Sequence, residues 1–280
     1  MLSIQQKQQF ERYGYLVLSE LFTARQMDEL KSAAENIVQQ FDPDSTRAVF
    51  STQDLSKSRD DYFLSSGDKV RCFFEEHAFD ELGQLKQDKA LSINKIGHAL
   101  HVLEPTFKNF SHNETISQLA LDLGLVKPQI HQSMYIFKQP KIGGVIRWHQ
   151  DASYFYTDPI TVITFWFAVE DATIHNGCLQ VQGDSQISDE KYPLIEQFKR
   201  YADDSTELVK LNAKPWPRDE EALALEVKKG TLIVFNGLLP HFSAPNLSNK
   251  SRHAFTLHMT CATSEYAKVN WLQAKASPLY

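Results

Sequence analysis

Gln129-Ile130-His131-Gln132-Ser133-Met134-Tyr135-Ile136-Phe137 is the stretch at which the chain changes period. Ile130, Met134 and Ile136 fall on one face of an extended segment, with Tyr135 and Phe137 on the other. That is the period of two in which successive side chains point to opposite sides of a strand. Behind it, 162–170, 178–181, 231–235 and 254–261 read as further strands, separated by Gly, Pro and Asn turn signals.

Ahead of it the spacing is helical. Thr23 and Gln26 form a capping box, followed by Met27, Leu30, Ala34, Ile37, Val38 and Phe41 along one face, and Asp42-Pro43 ends that helix. Residues 42–68, rich in Ser, Asp and Thr, read as a long loop of functional or mobile character. Residues 93–107 read as mostly helical and 114–123 as a second short helix. Helices first and strands afterwards predict an α+β chain with a mainly β core, a sandwich or barrel with the N-terminal helices packed on it. A jelly roll is the version the pattern favours. The expected organisation is a single domain over 1–280, helical to about 127, with the β core over about 128–275.

Apolar residues make up 42% of the 280 and charged residues 23%, the balance of a chain able to bury a sizeable core. The longest apolar run, 162–169, is too short to cross a bilayer as a helix. Residues 1–7 lack the pattern of a secretion signal. Cys72, Cys178 and Cys261 are odd in number and without Cys-x-x-Cys, which argues against a disulfide framework and a zinc ribbon. Cytoplasm, or another reducing intracellular compartment, is the expectation. A net charge of −6 offers no general attraction to phosphate backbones, so no nucleic-acid partner is expected.

His149-Gln150-Asp151 puts two ligand-capable side chains at i and i+2, on one side of an extended segment. With ten histidines and 35 acidic residues, chance supplies roughly one such pair. His112-Asn113-Glu114 is a second match, read as a decoy because it leads into a helix. His241 follows the strand 231–235 and the turn Asn236-Gly237, a plausible ligand position. Two histidines and a carboxylate suit a non-haem Fe(II) oxygenase. Zinc takes the same set, and unrelated structural histidines remain open on spacing alone. Arg252 opens the last alternating strand, where it either clamps a carboxylate or is a solvated loop arginine. The remaining histidines, among them His98, His131, His253 and His258, read as structural. Trp148, Tyr154, Phe155, Tyr156, Phe165, Trp166 and Phe167 make the surroundings of His149 aromatic.

At Ile93-Asn94-Lys95-Ile96-Gly97-His98-Ala99-Leu100-His101, Gln132-Ser133-Met134-Tyr135-Ile136-Phe137-Lys138-Gln139-Pro140, His149-Gln150-Asp151-Ala152-Ser153, Ala168-Val169-Glu170-Asp171-Ala172, Asn176-Gly177-Cys178-Leu179 and Asn270-Trp271-Leu272-Gln273, the chain resembles the phytanoyl-CoA dioxygenase family. The resemblance implies a double-stranded β-helix, Fe(II) held by His149, Asp151 and His241, and 2-oxoglutarate as co-substrate. It implies that Arg252 holds the distal carboxylate, and that Lys95, Met134, Gln150, Trp166 and Ser243 line the co-substrate pocket. The implied reaction uses O2 to hydroxylate a small-molecule or lipid-like substrate with release of succinate and CO2, in a protein expected to be a monomer. A zinc hydrolase and a non-catalytic 2-oxoglutarate-binding sensor are the alternatives. The chain departs from its relatives at Gln182-Gly183-Asp184-Ser185-Gln186, where they carry Pro-Gly-Ser-His. Residues 187–225, with Trp216 between Pro215 and Pro217, read as a substrate lid or a surface excursion.

Overall fold

The structure is a computed structural model that describes residues 1–52, 60–183 and 192–280. Its helices are α1 Ile4–Tyr13, α2 Ala24–Gln40, α3 Asp61–Leu64, α4 Leu100–Leu103, α5 Pro105–Ser111 and α6 Glu114–Asp122. The strands are β1 Tyr15–Leu18, β2 Val70–Phe74, β3 Ile93–His98, β4 Pro128–Ile136, β5 Ile146–His149, β6 Thr157–Asp158, β7 Ile163–Ala168 and β8 Leu179–Gln182. They continue with β9 Glu196–Arg200, β10 Thr206–Lys210, β11 Ala222–Leu225, β12 Leu232–Asn236, β13 His241–Ser243, β14 Ala254–Cys261, β15 Glu265–Tyr266 and β16 Ser277–Pro278.

Both longer N-terminal helices begin with a capping box, Ser3 with Gln6 and Thr23 with Gln26, which satisfies N–H groups that a helix start leaves unpaired. The large sheet runs β1-β12-β7-β14-β4-β3-β2, with β16 beside β4, and its pairs are antiparallel. The small sheet runs β11-β8-β13-β5. Trp166, Ala168, Ile233, Phe235 and Ala254 of the large sheet share one core with Leu179, Val181 and Leu225 of the small one. The sheets therefore face each other as a double-stranded β-helix, the jelly roll expected from the alternation.

The opposite face of the large sheet carries Phe165, Phe167, Val234, Phe255 and Leu257, and packs them under Met27, Leu30, Ala34 and Val38 of α2 and Phe107 and Phe110 of α5. A sheet covered on both faces reads as continuous buried residues, as every position of β7 and β14 does. Within that cover the odd residues of β7 serve the helices, and the even residues Thr164, Trp166 and Ala168 point between the sheets.

Two expectations are corrected by bulges. Residues 93–98 are strand β3, and helix begins only at Leu100. Phe73 opposes Lys95 while the next residue, Phe74, opposes Ile93, so Asn94 is an extra residue on β3. That bulge returns Ile93 and Ile96 to the same core, and their separation of three imitates a helix. On β4, Gln132 opposes His258 and Ile130 opposes Met259, leaving His131 as the extra residue. Ile130 therefore joins Tyr135 and Phe137 against the helices, rather than sharing a face with Met134.

The division near residue 127 does not hold for the sheet, because β1, β2 and β3 belong to it. Within 187–225, β9 and β10 form a hairpin and β11 pairs with β8, so part of this stretch is an edge of the small sheet. Residues 53–59 of the expected loop and 184–191, which include Asp184, Ser185 and Gln186, lie outside the described residues. Among the described residues, no helix is long and apolar enough to cross a membrane.

Burial favours the neutral form of several imidazoles, on β3, α4 and β4. Burial lowers His101 to about 3 and His131 to about 4, and pushes His98 well below its ordinary range. In the unfolded chain these rings take up a proton near pH 6.5. The unfolded state thus binds more protons below that point, and stability is lost as pH falls from about 6.5 towards about 4. The thermal midpoint of the metal-free protein should decline through this window, and His101→Gln should flatten the decline. A midpoint that is level in wild type, or equally steep in the variant, would contradict this assignment.

Candidate metal centre and active site

His149 ends β5, His241 opens β13, and the two are direct cross-strand partners. Opposed residues on one face bring their Cβ atoms to within about 5 Å, and the ring centroids here are 4.1 Å apart. Asp151 follows in the single turn Asp151–Ser153, which is tied to the β12–β13 connection by Ala152 N–H donating to Gly237 O at 2.9 Å.

Nδ1 of His149 donates to Arg147 O at 2.8 Å, and Nδ1 of His241 donates to Leu239 O at 3.0 Å. Because a carbonyl only accepts, each ring carries its proton on Nδ1 and leaves Nε2 bare, the form in which an imidazole binds a metal. The two Nε2 atoms lie 3.8 and 3.7 Å from Asp151 Oδ1. The three ligand atoms are within 4.8 Å of one another, and among the described residues this is the group that converges on one ion. Bare imidazole nitrogens and an anionic oxygen on one side fit a divalent transition metal.

Burial would raise the Asp151 carboxyl, but the imidazoles of His258, His241 and His149 outweigh it and hold the group well below the usual carboxylate range. Burial, then the neighbouring His241, lowers His149 to about 3 despite the pull of Asp151.

Asp151 Oδ2 accepts from Thr164 Oγ1 and lies 3.5 Å from His258 Nε2. Sequence reasoning missed both residues, having read His258 as structural. The available signal was parity, since 252, 254, 256 and 258 alternate on the side of the strand that carries Arg252. His112 donates from Nδ1 to Lys108 O and pairs Nε2 with Ser277 Oγ at 2.9 Å, and it is not part of the converging group among the described residues.

The Arg252 guanidinium is buried, not solvated. Its Nε donates to Gly177 O at 3.0 Å, one terminal nitrogen donates to Ser243 Oγ at 3.3 Å, and the other has no partner. The guanidinium carbon stands 5.4 Å from the Trp166 ring centroid. Burial lowers Arg252 to about 10, so it remains a cation near neutrality. Gly177 has φ +77°, and a Cβ there would fall 2.6 Å from Ala244 O and 2.7 Å from Lys138 Cε, so its carbonyl reaches Arg252 only as glycine.

Lys95 is buried with Nζ 3.8 Å from Met134 Sδ and 3.1 Å from the Phe50 ring centroid. Burial drives it well below an ordinary lysine. Met134, Thr256 and Trp166 occupy one cross-strand row, next to the row of Gln132, His258 and Thr164. Lys95 thus contacts Met134, while Arg252 contacts Ser243 and faces Trp166, with Met134 and Trp166 in one cross-strand row. Gln150 is the exception. Its amide donates to Pro193 O and Leu238 O and accepts from Ile195 N–H, so the side chain bridges loops and its N–H groups are already used.

A profile of the phytanoyl-CoA dioxygenase family matches residues 10–254. The chain belongs to that family. "Phytanoyl-CoA dioxygenase" of Arabidopsis thaliana is 41% identical over 272 residues, covering 96% of this chain and 93% of the relative. "Phytanoyl-CoA dioxygenase domain-containing protein 1" of Rattus norvegicus is 39% identical over 290 residues, covering 100% and 99%. Among solved structures, EctD from S. alaskensis with 2-oxoglutarate and 5-hydroxyectoine superposes with a TM-score of 0.63 at 19% identity, over 99% of this chain and 85% of that one. The carbocyclase SnoK from nogalamycin biosynthesis, described as non-heme and alpha ketoglutarate dependent, gives 0.64 at 16%, over 95% and 86%. At such identities these likenesses show the shared double-stranded β-helix.

The geometry separates the true pair from the decoy by experiment. Asp151→Ala should abolish tight Fe(II) binding in an anaerobic titration while the circular dichroism stays native, and His112→Ala should bind as wild type does. Wild-type affinity in Asp151→Ala would remove it from the metal centre.

Proposed function

We propose that the protein is an Fe(II)- and 2-oxoglutarate-dependent dioxygenase that hydroxylates a small-molecule or lipid-like substrate, releasing succinate and CO2. The observation that carries this reading is Arg252, a buried cation whose guanidinium keeps one nitrogen unpartnered and has no carboxylate at salt-bridge distance among the described residues. A buried charge without a counter-charge costs several kcal/mol, a cost that a bound anion offsets. A zinc hydrolase would use the same three ligands, but it gives no role to a dry guanidinium beside them.

His149 Nε2, Asp151 Oδ1 and His241 Nε2 would hold the iron, and Arg252 the distal carboxylate of 2-oxoglutarate. When bound, the metal and co-substrate supply the oxidative chemistry that reduces O2, decarboxylates the 2-oxo acid and hydroxylates substrate carbon. The protein's part is orientation and exclusion of water. Arg252 is aimed by Gly177 and Ser243 and flanked by Trp166, so a dicarboxylate is received in a fixed register. Burial lowers the Lys95 amine well below an ordinary lysine, and an anionic ligand beside it would favour its protonated form. Cys72, Cys178 and Cys261 are all buried free thiols, which supports a reducing compartment.

Arg252→Ala should weaken 2-oxoglutarate binding about tenfold to several hundredfold, because charge-assisted hydrogen bonds contribute roughly 1.5–3 kcal/mol each. Arg252→Lys should recover part of the loss, since an ammonium keeps the charge but not the two-pronged geometry. Calorimetric titration into the anaerobic, iron-loaded protein measures both, with pyruvate as the ligand lacking a distal carboxylate. Equal affinity in wild type and Arg252→Ala would leave Lys95 as the better clamp. Turnover is tested by screening metabolites for stimulated succinate release. Tight 2-oxoglutarate binding with no succinate under any condition would favour a non-catalytic sensor.

A further inference from the structure

The two oxygens of Asp151 have different neighbours. Oδ1 faces the bare Nε2 atoms of His149 and His241, whereas Oδ2 accepts from the Thr164 hydroxyl and lies 3.5 Å from His258 Nε2. A carboxylate only accepts, so Thr164 Oγ1 is the donor, and a proton on His258 Nε2 is the one that faces Oδ2. His258 Nδ1 is buried without a partner, which agrees with that tautomer. A bare acceptor is tolerated inside a protein more readily than a bare N–H. His258 is also not free to turn, because its ring stacks on Phe155 at 4.8 Å between centroids and 27° between planes. Both donors come from adjacent strands in one register, Thr164 of β7 opposite His258 of β14.

We infer that His258 and Thr164 are positioning residues that keep Asp151 a one-oxygen ligand. An unrestrained carboxylate can chelate a metal with both oxygens. With two histidines already bound, that would consume one of the three positions an oxygenase needs for co-substrate and O2. By engaging Oδ2, Thr164 and His258 turn Oδ1 alone towards the histidines and reserve those positions. His258 is not itself a ligand, since it lies outside the group whose donor atoms converge on one ion. The inference rests on the metal reading above and deepens it.

The test compares His258→Leu, which removes the donor, with His258→Gln, whose amide N–H falls near the place of imidazole Nε2. Loss of an interaction that orients a metal ligand typically weakens metal affinity about 10–100-fold. His258→Leu should lose Fe(II) affinity in that range with the metal-free thermal midpoint kept, and His258→Gln should recover most of it. In the Co(II)-substituted protein, the visible absorption, which reports coordination number, should change in His258→Leu and Thr164→Val but not in His258→Gln. Wild type failing to bind Fe(II) would overturn the metal reading. Normal binding by wild type with unchanged affinity and spectrum in His258→Leu would overturn only this inference. A loss in His258→Gln as large as in Asp151→Ala would make His258 a ligand and overturn it equally. Should His258→Leu not fold, Thr164→Val carries the same spectral comparison.

Discussion

One buried carboxylate organises this molecule. Asp151 is nearly inaccessible, and residues of four elements stand against its two oxygens, with the Thr164 hydroxyl a donor to one of them. His149 comes from β5, His241 from β13, Thr164 from β7 and His258 from β14. The first two belong to the small sheet and the other two to the large one. The group is therefore satisfied only where the two sheets are closed on each other at one separation and one register.

The cations beside it are arranged in the opposite sense. Arg252 and Lys95 are buried with neutral partners only: a carbonyl and a hydroxyl for the first, a thioether and aromatic faces for the second. Structural buried charges are paired, whereas Arg252 has no carboxylate at salt-bridge distance among the described residues. Burial lowers both, but Arg252 only to about 10, which leaves the guanidinium a cation near neutrality.

Strand register also explains why some of the fold could be read in advance and some could not. β7 and β12 were legible as short apolar runs bounded by turn residues, and β14 by its alternation. β3 was not, because the extra Asn94 puts Ile93 and Ile96 on one side, at a spacing that belongs to a helix. β4 was legible as a strand but not in its facing, since the extra His131 reverses the sides of Ile130 and Met134. Short edge strands such as β1 and β5 gave too few residues for any period to show.

The sequence by itself determined the class of fold and brought His149, Asp151, His241 and Arg252 forward as candidates, because alternation and family motifs are local properties of a chain. Only the tertiary structure decided that Gln150 is used up on loop backbone, that Arg252 is dry, and that Thr164 and His258 engage Asp151. Those facts depend on what lies across a strand pair or between two sheets. A chain records periodicity along itself, whereas a cross-strand neighbour is set by register, and a single bulged residue is enough to change it.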